Sequence, residues 1–503
     1  MNAHPRAQPD PARLRLVADE PPAPRRVARA SAWTLGSMGA MSALRLVSQV
    51  VLTYLCLPEH FGVVMLMRTF LTFVEMVSDM GLRNAVISHP RGEERLFLGT
   101  AASVQLVRGV GMWILTCLLA WPIGRFYGEP LLFLLLPLAG LEAVNNGLYC
   151  VRSHVEERRM RLAAPALLEV LGLFVSIGTS ILWCWLSPGV LGLALGPLVG
   201  GGVRMLASHL YWRAERVRFA WDAAVARELF GYSRWIIGST TVSFVAQQFH
   251  LLYLGKLLAA GPLGVYGLAW NFCAQASKPM TALANKVLIP HLAEAVRAGP
   301  EALGPALRKS SARYLPACLL VCLGAGLFAP AMFGFFYEAS FAEGGTLGEL
   351  FAVVVWFMIL QQVPRCTLLA LGNSRAVASM AGWNAAVTVA GIMGGYALGG
   401  GSLAGAILGN ALGNVAGCLA GWVAMRALGL RLGRVLGLYS LAFLGCLGAG
   451  VVGMRLVVAQ GWSSPAVASL VASVAFGLPL AAWVWLRTLA PRRARRGVSE
   501  EER

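Results

Sequence analysis

The chain contains 503 residues, of which 57% are hydrophobic and only 13% are charged. Soluble domains carry about 25% charged residues, so this composition excludes an ordinary soluble enzyme and indicates a protein that lies largely within a membrane. The net charge is +18, but the cations form short clusters between long apolar segments. That spacing is typical of the loops of a multi-pass membrane protein and argues against nucleic acid as a partner.

Fourteen segments are apolar enough to cross a bilayer as helices, which takes about 20 residues each. They follow residues 1–30, a segment rich in Pro and Arg that is predicted to be a disordered cytoplasmic tail. The sequence therefore predicts an all-α polytopic membrane protein with about 14 transmembrane helices. These helices are predicted near residues 31–57, 62–88, 98–122, 130–150, 163–187, 190–212, 231–257, 264–291, 310–336, 346–371, 375–398, 403–427, 434–458 and 464–489.

Lys and Arg concentrate in every second predicted loop. Arg25 and Arg26 precede the first helix, and Arg158 follows the fourth, whereas residues 187–189 and 399–402 contain no cation. Cytoplasmic loops of membrane proteins are enriched in Lys and Arg. We therefore predict that both termini are cytoplasmic.

Two short patterns recur at one separation along the chain. The pattern W-x-x-G-S begins at Trp33 and at Trp235, and Gly62 and Gly264 each lie near the start of the next helix; both pairs are 202 residues apart. Six helices fit this interval, which predicts two parallel repeats around a central cleft, although chance similarity between Gly- and Trp-containing helices is the simpler alternative. The predicted units are an N-terminal six-helix lobe at 31–218, a C-terminal six-helix lobe at 219–430, two additional transmembrane helices at 431–489 and a cytoplasmic tail at 490–503.

Polar side chains recur on one face of the second predicted helix and on one face of the eighth. Charge at membrane depth is costly and usually faces a cavity, and two such faces on repeat-related helices predict a hydrophilic cleft. Arginine offers a forked match to phosphate oxygens, so the surplus of cations favours an anionic substrate. The predicted substrate-binding residues are Arg45, Arg68, Arg204, Asn271, Gln275, Lys278 and Arg365.

Carboxylates at membrane depth are candidates for coupling to H⁺ or Na⁺, because low dielectric moves their titration towards neutral pH. We predict this role for Glu75, Asp79 and Glu142. The alternative is that Glu75, Asp79 and Arg83 neutralise one another and serve packing alone. His250 is interpreted as titratable or, more simply, as structural. The sequence has no P-loop and no metal-ligand spacing, so we predict no catalytic residue, no metal and no cofactor beyond the coupling ion.

Four stretches carry a family resemblance that extends over nearly the whole chain. They are LPEHFG at 57–62, SDMGL at 78–82, LGKLL at 254–258 and LGVYGLA at 263–269. In combination they resemble the polysaccharide-transporter, or Wzx-like, oligosaccharide flippases of the multidrug/oligosaccharidyl-lipid/polysaccharide superfamily.

This resemblance implies a transporter rather than an enzyme, with two six-helix lobes that form a V-shaped cleft and alternate between inward and outward states. The implied cargo is a polyprenyl-diphosphate-linked oligosaccharide, moved from the cytoplasmic to the outer leaflet for assembly of O antigen, capsule or exopolysaccharide. The resemblance also implies a location in a bacterial inner membrane, an ion gradient as energy source, and membrane lipids, a polysaccharide polymerase and glycosyltransferases as partners.

Three other functions remain as alternatives at this stage. A lipid II flippase for peptidoglycan would share the helix count and the cationic cavity. A drug/cation antiporter would carry more cavity carboxylates than cations, which is the reverse of what this sequence has. An integral-membrane polysaccharide polymerase or glycosyltransferase would need a large outward loop, whereas the longest predicted outward connection is only about a dozen residues.

Overall fold

The computed structural model describes residues 24–78, 82–89, 91–159, 161–213, 217–430 and 433–459, and the regular structure of these residues is helical. The helices are α1 (Pro24–Leu55), α2 (Pro58–Ser78), α3 (Leu82–Ser88), α4 (Arg95–Tyr127), α5 (Leu132–Leu148), α6 (Arg152–Arg158), α7 (Ala163–Leu186), α8 (Val190–Tyr211), α9 (Ala223–Leu257), α10 (Ala260–Leu283), α11 (Ile289–Ala298), α12 (Pro300–Phe335), α13 (Gly344–Leu360), α14 (Gln362–Ala370), α15 (Ser374–Leu398), α16 (Leu403–Ala427) and α17 (Gly433–Ala459). They also include a π-helical turn, Ala284–Leu288, and a short 3₁₀ turn, Ala339–Phe341.

Eight helical segments within the described residues are long and apolar enough to cross a membrane, or nine if the bent pair α5 and α6 counts as one span. Large apolar side chains project from several of them: Leu118 is 70% exposed, Trp185 69% and Leu398 92%. Such faces are expected where lipid is the solvent, and helices satisfy their own backbone groups there. The prediction of an all-α multi-pass membrane protein is confirmed. The predicted helix at 464–489 and the tail at 490–503 lie outside the described residues.

The observed helices begin and end where local chemistry directs, which corrects some predicted bounds. Helix α1 begins at Pro24, whereas the sequence placed a disordered tail up to residue 30. Proline suits the first position of a helix because its missing N–H needs no partner there, and the Arg and Ala residues that follow are good helix formers. The helix predicted near 62–88 is described as α2 and α3, which end and begin at Ser78 and Leu82.

Two further predicted helices are interrupted. The segment predicted near 346–371 is divided at Gln361 into α13 and α14. Pro364 lies in the first turn of α14, where a missing N–H costs no helical hydrogen bond. The segment predicted near 264–291 begins earlier, at Ala260, and passes through the π-helical turn into α11.

Helices α2 and α10 cross at their amino-terminal ends and touch backbone to backbone. A β-carbon on Gly62 would collide with the Ala260 carbonyl, and a β-carbon on Gly264 would collide with the Pro58 carbonyl. These contacts are reciprocal, because Gly62 and Gly264 are 202 residues apart and so are Pro58 and Ala260. We call these four residues the α2/α10 seam. Removing the side chain lets helix backbones approach this closely.

The remaining helices pack on both sides of this crossing. Helix α4 packs on α5, and α7 packs on α8 and α1, while α12 packs on α13 and α15 on α16. The largest apolar core is built around α10, α12 and α13. It includes Tyr266, Phe351 and Trp356, which are fully buried. A cavity lies beside the crossing of α2 and α10.

Candidate functional site

A cavity of about 410 Å³ is lined by residues of α1, α2, α7 and α8 and by residues of α9 and α10. Its volume is within the range of small-molecule sites, about 300–1,000 Å³. Besides apolar side chains, the lining contains cations, amides, hydroxyls and one indole. These polar and aromatic residues are Arg45, Ser48, Gln49, Arg68, Thr69, Thr72, Ser176, Ser180, Gln248, Trp270 and Asn271.

Three of the predicted substrate-binding residues line this cavity: Arg45, Arg68 and Asn271. Within the described residues the Arg45 guanidinium has no hydrogen bond or ion pair. Lys278 lies two turns beyond Asn271 on α10, and the positive charge of Arg45 acts on it. The structure therefore brings three of the predicted residues, two of them cations, to one cavity, and it places a fourth, Lys278, within electrostatic reach of Arg45.

Arg68 connects the cavity to two carboxylates. Its Nη1 donates to Glu142 Oε2 at 3.0 Å, with the side chains 35% and 26% exposed. Glu75 lies within electrostatic reach of both Arg68 and Glu142, and the two carboxylates line a small pocket between α2, α4 and α5 that also includes Thr116. Two of the predicted ion-coupling residues are thus neighbours. The third, Asp79, lies outside the described residues.

Arg83 pairs with a carboxylate other than Glu75. Because Asp79, the third member of the packing alternative, lies outside the described residues, that alternative stays a prediction. Arg83 Nε donates to Glu157 on α6 at 2.6 Å. Nearby, Arg159 pairs with Glu93 and holds the pKa of that carboxyl below its usual range, chiefly through their hydrogen bond. These pairs tie α3, α6 and the α3–α4 connection together, away from the cavity.

Four predicted substrate-binding residues are not among those that line the cavity: Arg204, Gln275, Lys278 and Arg365. Arg204 donates to Asn146 Oδ1 and lies over the Tyr149 ring, with its guanidinium carbon 5.0 Å from the ring centre. Arg365 donates to Gln362 Oε1 at 3.0 Å and to Asn285 Oδ1 at 3.3 Å. The predicted binding roles of these two arginines and of Gln275 stay predictions.

The lining residues that the sequence reasoning did not assign to substrate binding include Gln49, Gln248 and Trp270. A usable signal existed for Trp270, because it is 202 residues from Arg68 and so occupies the matching position on the second copy of the repeat. No comparable signal marks the two glutamines. Among the described residues, no group of three or more His, Cys, Asp or Glu side chains is placed to hold a metal ion.

Comparisons with known proteins agree on one family. The family described as "Polysaccharide biosynthesis protein" matches residues 51–342. Amylovoran biosynthesis protein AmsL of Erwinia amylovora is 25% identical over 284 residues, which covers 55% of this chain and 71% of AmsL. Succinoglycan biosynthesis transport protein ExoT of Rhizobium meliloti (strain 1021) is 22% identical, covering 52% of this chain and 53% of ExoT. Lipopolysaccharide biosynthesis protein WzxC of Escherichia coli (strain K12) is 20% identical, covering 52% and 53%.

Two solved structures share the fold. Lipid II flippase MurJ in an inward closed conformation has a TM-score of 0.70 at 13% identity, covering 92% of this chain and 98% of MurJ. An inward-facing MATE family transporter of the MOP superfamily has a TM-score of 0.59 at 14% identity, covering 77% and 95%. At such identities the likeness concerns the fold alone. Because the family match extends over more than half of its length, the chain belongs to the polysaccharide biosynthesis protein family, and the predicted resemblance to Wzx-like polysaccharide transporters is confirmed.

Proposed function

We propose that this protein is a flippase that moves a polyprenyl-diphosphate-linked oligosaccharide from the cytoplasmic to the outer leaflet of a bacterial inner membrane, for assembly of a surface polysaccharide. The observation that carries the proposal is the central cavity, which is lined by Arg45 and Arg68 at mid-helix positions. The family membership and the relatives named for amylovoran and succinoglycan biosynthesis support the same function.

The chemistry of the cavity suits a diphosphate. Arg45 has no partner of its own among the described residues, and Arg68 shares its charge with one carboxylate. In the low dielectric of a membrane protein such charges attract an anion strongly. The hydroxyl groups of Ser48, Thr69 and Thr72 also line the cavity, but each donates its one hydrogen to a backbone carbonyl of its own helix. The guanidinium groups are therefore the donors for phosphate oxygens. The polyprenyl tail would remain among the lipids while the polar head group enters the cavity.

Alternating access is part of the proposal, with helices α1–α8 and α9–α16 as two lobes that rock about the cavity. The α2/α10 seam would close the outward side, because the sequence places the amino-terminal ends of α2 and α10 there. Separating the four seam residues would open the cavity outward. Similar two-lobe rearrangements around a central site are the usual mode of parallel-repeat transporters.

Ion coupling would operate through Glu75 and Glu142. Their shared pocket adjoins the cavity, and Arg68 contacts Glu142 directly. Protonation of Glu142, or binding of Na⁺ beside it, would release the Arg68 guanidinium towards the cavity. The charge offered to the cargo would then depend on ion binding, which is the requirement for coupled transport.

The test is to delete the gene and to quantify lipid-diphosphate-linked oligosaccharides by mass spectrometry, with a probe that reports the leaflet in which they lie. We expect accumulation in the cytoplasmic leaflet, relieved by the wild-type gene and by Arg125→Ala, an exposed arginine outside the cavity, but not by Arg68→Ala at equal expression. No accumulation, together with unchanged surface polysaccharide and no redundant flippase, would contradict the proposal.

A second candidate is a lipid II flippase for peptidoglycan, favoured by the fold likeness to MurJ. The same experiment separates the two, because the sugar of the accumulated lipid would be the peptidoglycan disaccharide-peptide instead of a surface-polysaccharide repeat. A drug/cation antiporter would accumulate neither lipid.

A further inference from the structure

Two repeat-related positions of the cavity carry different chemistry. Arg68 and Trp270 each lie ten residues after the first residue of their helices, Pro58 on α2 and Ala260 on α10. The reciprocal contacts of the α2/α10 seam put the two helices in the same register. Arg68 and Trp270 therefore lie at corresponding depths, and both line the cavity. At matching positions, the cavity lining therefore has a cation on α2 and an indole on α10.

The Trp270 side chain is supported by a buried aromatic cluster behind the cavity wall. The His250 ring meets Trp270 edge to face with 4.9 Å between ring centres, and the Phe351 ring lies 5.4 Å away. His250 is 1% exposed, and its Nδ1 is 2.9 Å from the Tyr266 hydroxyl. Tyr266 and Phe351 are fully buried, whereas Trp270 is half-buried and keeps part of its indole surface on the cavity. A tryptophan that served packing alone would be expected to bury its whole indole. The accessible part of the Trp270 ring is therefore available to a ligand.

Two amide side chains flank the indole on the cavity wall. Gln248 of α9 and Asn271 of α10 both line the cavity, and each can donate and accept hydrogen bonds. A pyranose ring has a face of C–H groups, which suits the negative face of an aromatic ring, and a rim of hydroxyls, which suits amides. The lining that α1 and α2 contribute, with Arg45 and Arg68, suits phosphate instead.

We propose that the α9/α10 wall is the sugar-binding side of the cavity, with Trp270 as the platform on which the first sugar of the cargo stacks and Gln248 and Asn271 as partners of its hydroxyls. His250 is a positioning residue, which holds the indole from behind. This inference rests on the proposed function and adds an orientation to it. The diphosphate lies against Arg45 and Arg68, and the sugar points across the cavity to α9 and α10.

The test compares two probes on the full chain in lipid nanodiscs: undecaprenyl diphosphate, and undecaprenyl diphosphate carrying one glucose, galactose or N-acetylglucosamine. We expect the wild type to bind the best of the three glycolipids more tightly than the sugar-free lipid. Trp270→Leu should raise the Kd for that glycolipid about tenfold, a typical loss for an aromatic contact, and change the Kd for the sugar-free lipid by less than about twofold. Trp270→Phe should retain most of the affinity. Trp383→Leu, which removes a 59% exposed indole of α15, is the matched control and should change neither Kd.

Gln248→Ala is a second test variant, and it leaves the aromatic cluster intact. The proposal therefore remains testable if Trp270→Leu fails to fold. We expect it to weaken the glycolipid about threefold with the same selectivity. Equal losses for both probes in these variants, no loss for either, or a wild type that binds the two probes equally would overturn the sugar-binding wall while leaving a diphosphate flippase standing. A wild type that binds neither probe would contradict the proposed function itself.

Discussion

At the scale of single residues, the ion pair between Arg68 and Glu142 is the contact on which the cavity chemistry depends most. The two side chains are 3.0 Å apart and both are partly exposed, so the pair is weaker than a fully buried one. A carboxylate that holds the guanidinium also competes with the diphosphate for it. We predict that Glu142→Gln lowers the Kd for undecaprenyl diphosphate about three- to tenfold and slows transport, because release becomes harder.

Arg68→Ala is the complement of that prediction. It should raise the Kd by a similar or larger factor, and Arg68→Lys should fall between, because lysine keeps the charge and loses the fork. Binding to nanodiscs supplies the Kd values, and proteoliposomes supply the transport rates. An unchanged Kd in Glu142→Gln would mean that the carboxylate does not compete with the cargo for Arg68.

The sequence predicts the cavity lining only in part. Helical spacing on the second and eighth predicted helices was enough to identify Arg68 and Asn271 as cavity residues, because a polar face within a membrane needs a polar space. Arg204 and Arg365 carry the same signal, yet the structure places them on Asn146 and on Gln362 and Asn285. Partners of this kind depend on which helices become neighbours, and that information is not contained in the spacing along one helix.

At the scale of elements, the α2/α10 seam brings two helix backbones into direct contact beside the cavity, which Gly264 also lines. Gly62 and Gly264 each face a backbone carbonyl that would collide with a β-carbon. Backbone cannot move aside as a side chain can, so we predict that Gly62→Ala and Gly264→Ala each shift the protein towards the outward-open state and reduce transport. Gly324→Ala is the matched control, because a β-carbon there meets open space within α12.

Spin labels at Glu59 and Pro262, exposed residues near the seam, would measure the opening by electron double resonance in a cysteine-free background. Both seam variants should populate longer distances than the wild type, and Gly324→Ala should not. Identical distance distributions in all four proteins would show that the seam tolerates a methyl group and does not act as a gate.

A second element-scale prediction concerns the break between α13 and α14. Gln361, at the break, donates from Nε2 to the backbone oxygen and Oδ1 of Asn414, both at 3.0 Å, and accepts from Asn384 Nδ2 at 3.0 Å. Asn414 is 6% exposed. Asn414→Leu should destabilise the protein by about 1–3 kcal/mol, because Gln361 and Asn384 lose partners in a buried place. Asn285→Leu, a change at an exposed amide outside this network, should leave the Tm in detergent within about a degree, against a loss of several degrees for Asn414→Leu.

At the scale of the whole molecule, the length of apolar segments predicts helices that cross a membrane, and polar residues on one helix face predict those that line the cavity. Eight segments of the described residues are long and apolar enough to span a bilayer. Helices α2 and α10, on which the polar faces were predicted, contribute Arg68 and Asn271 to the cavity. The division of α13 from α14 depends on the amides around Gln361 and could not be predicted from composition.

The direction of transport depends on which face of the molecule is cytoplasmic, and the alternation of Lys and Arg makes this a testable property of the whole chain. We predict that Ser187→Cys and Glu343→Cys react with a membrane-impermeant maleimide in intact spheroplasts, because their connections contain no cation. Ser374→Cys, beside Arg375, should react only after permeabilisation. All three residues are exposed. Of the native cysteines, Cys117 is half-buried and the other nine are buried, so the parent protein should give little background. The opposite labelling pattern would place the α2/α10 seam on the cytoplasmic side and reverse the direction in which the closed mouth of the cavity faces.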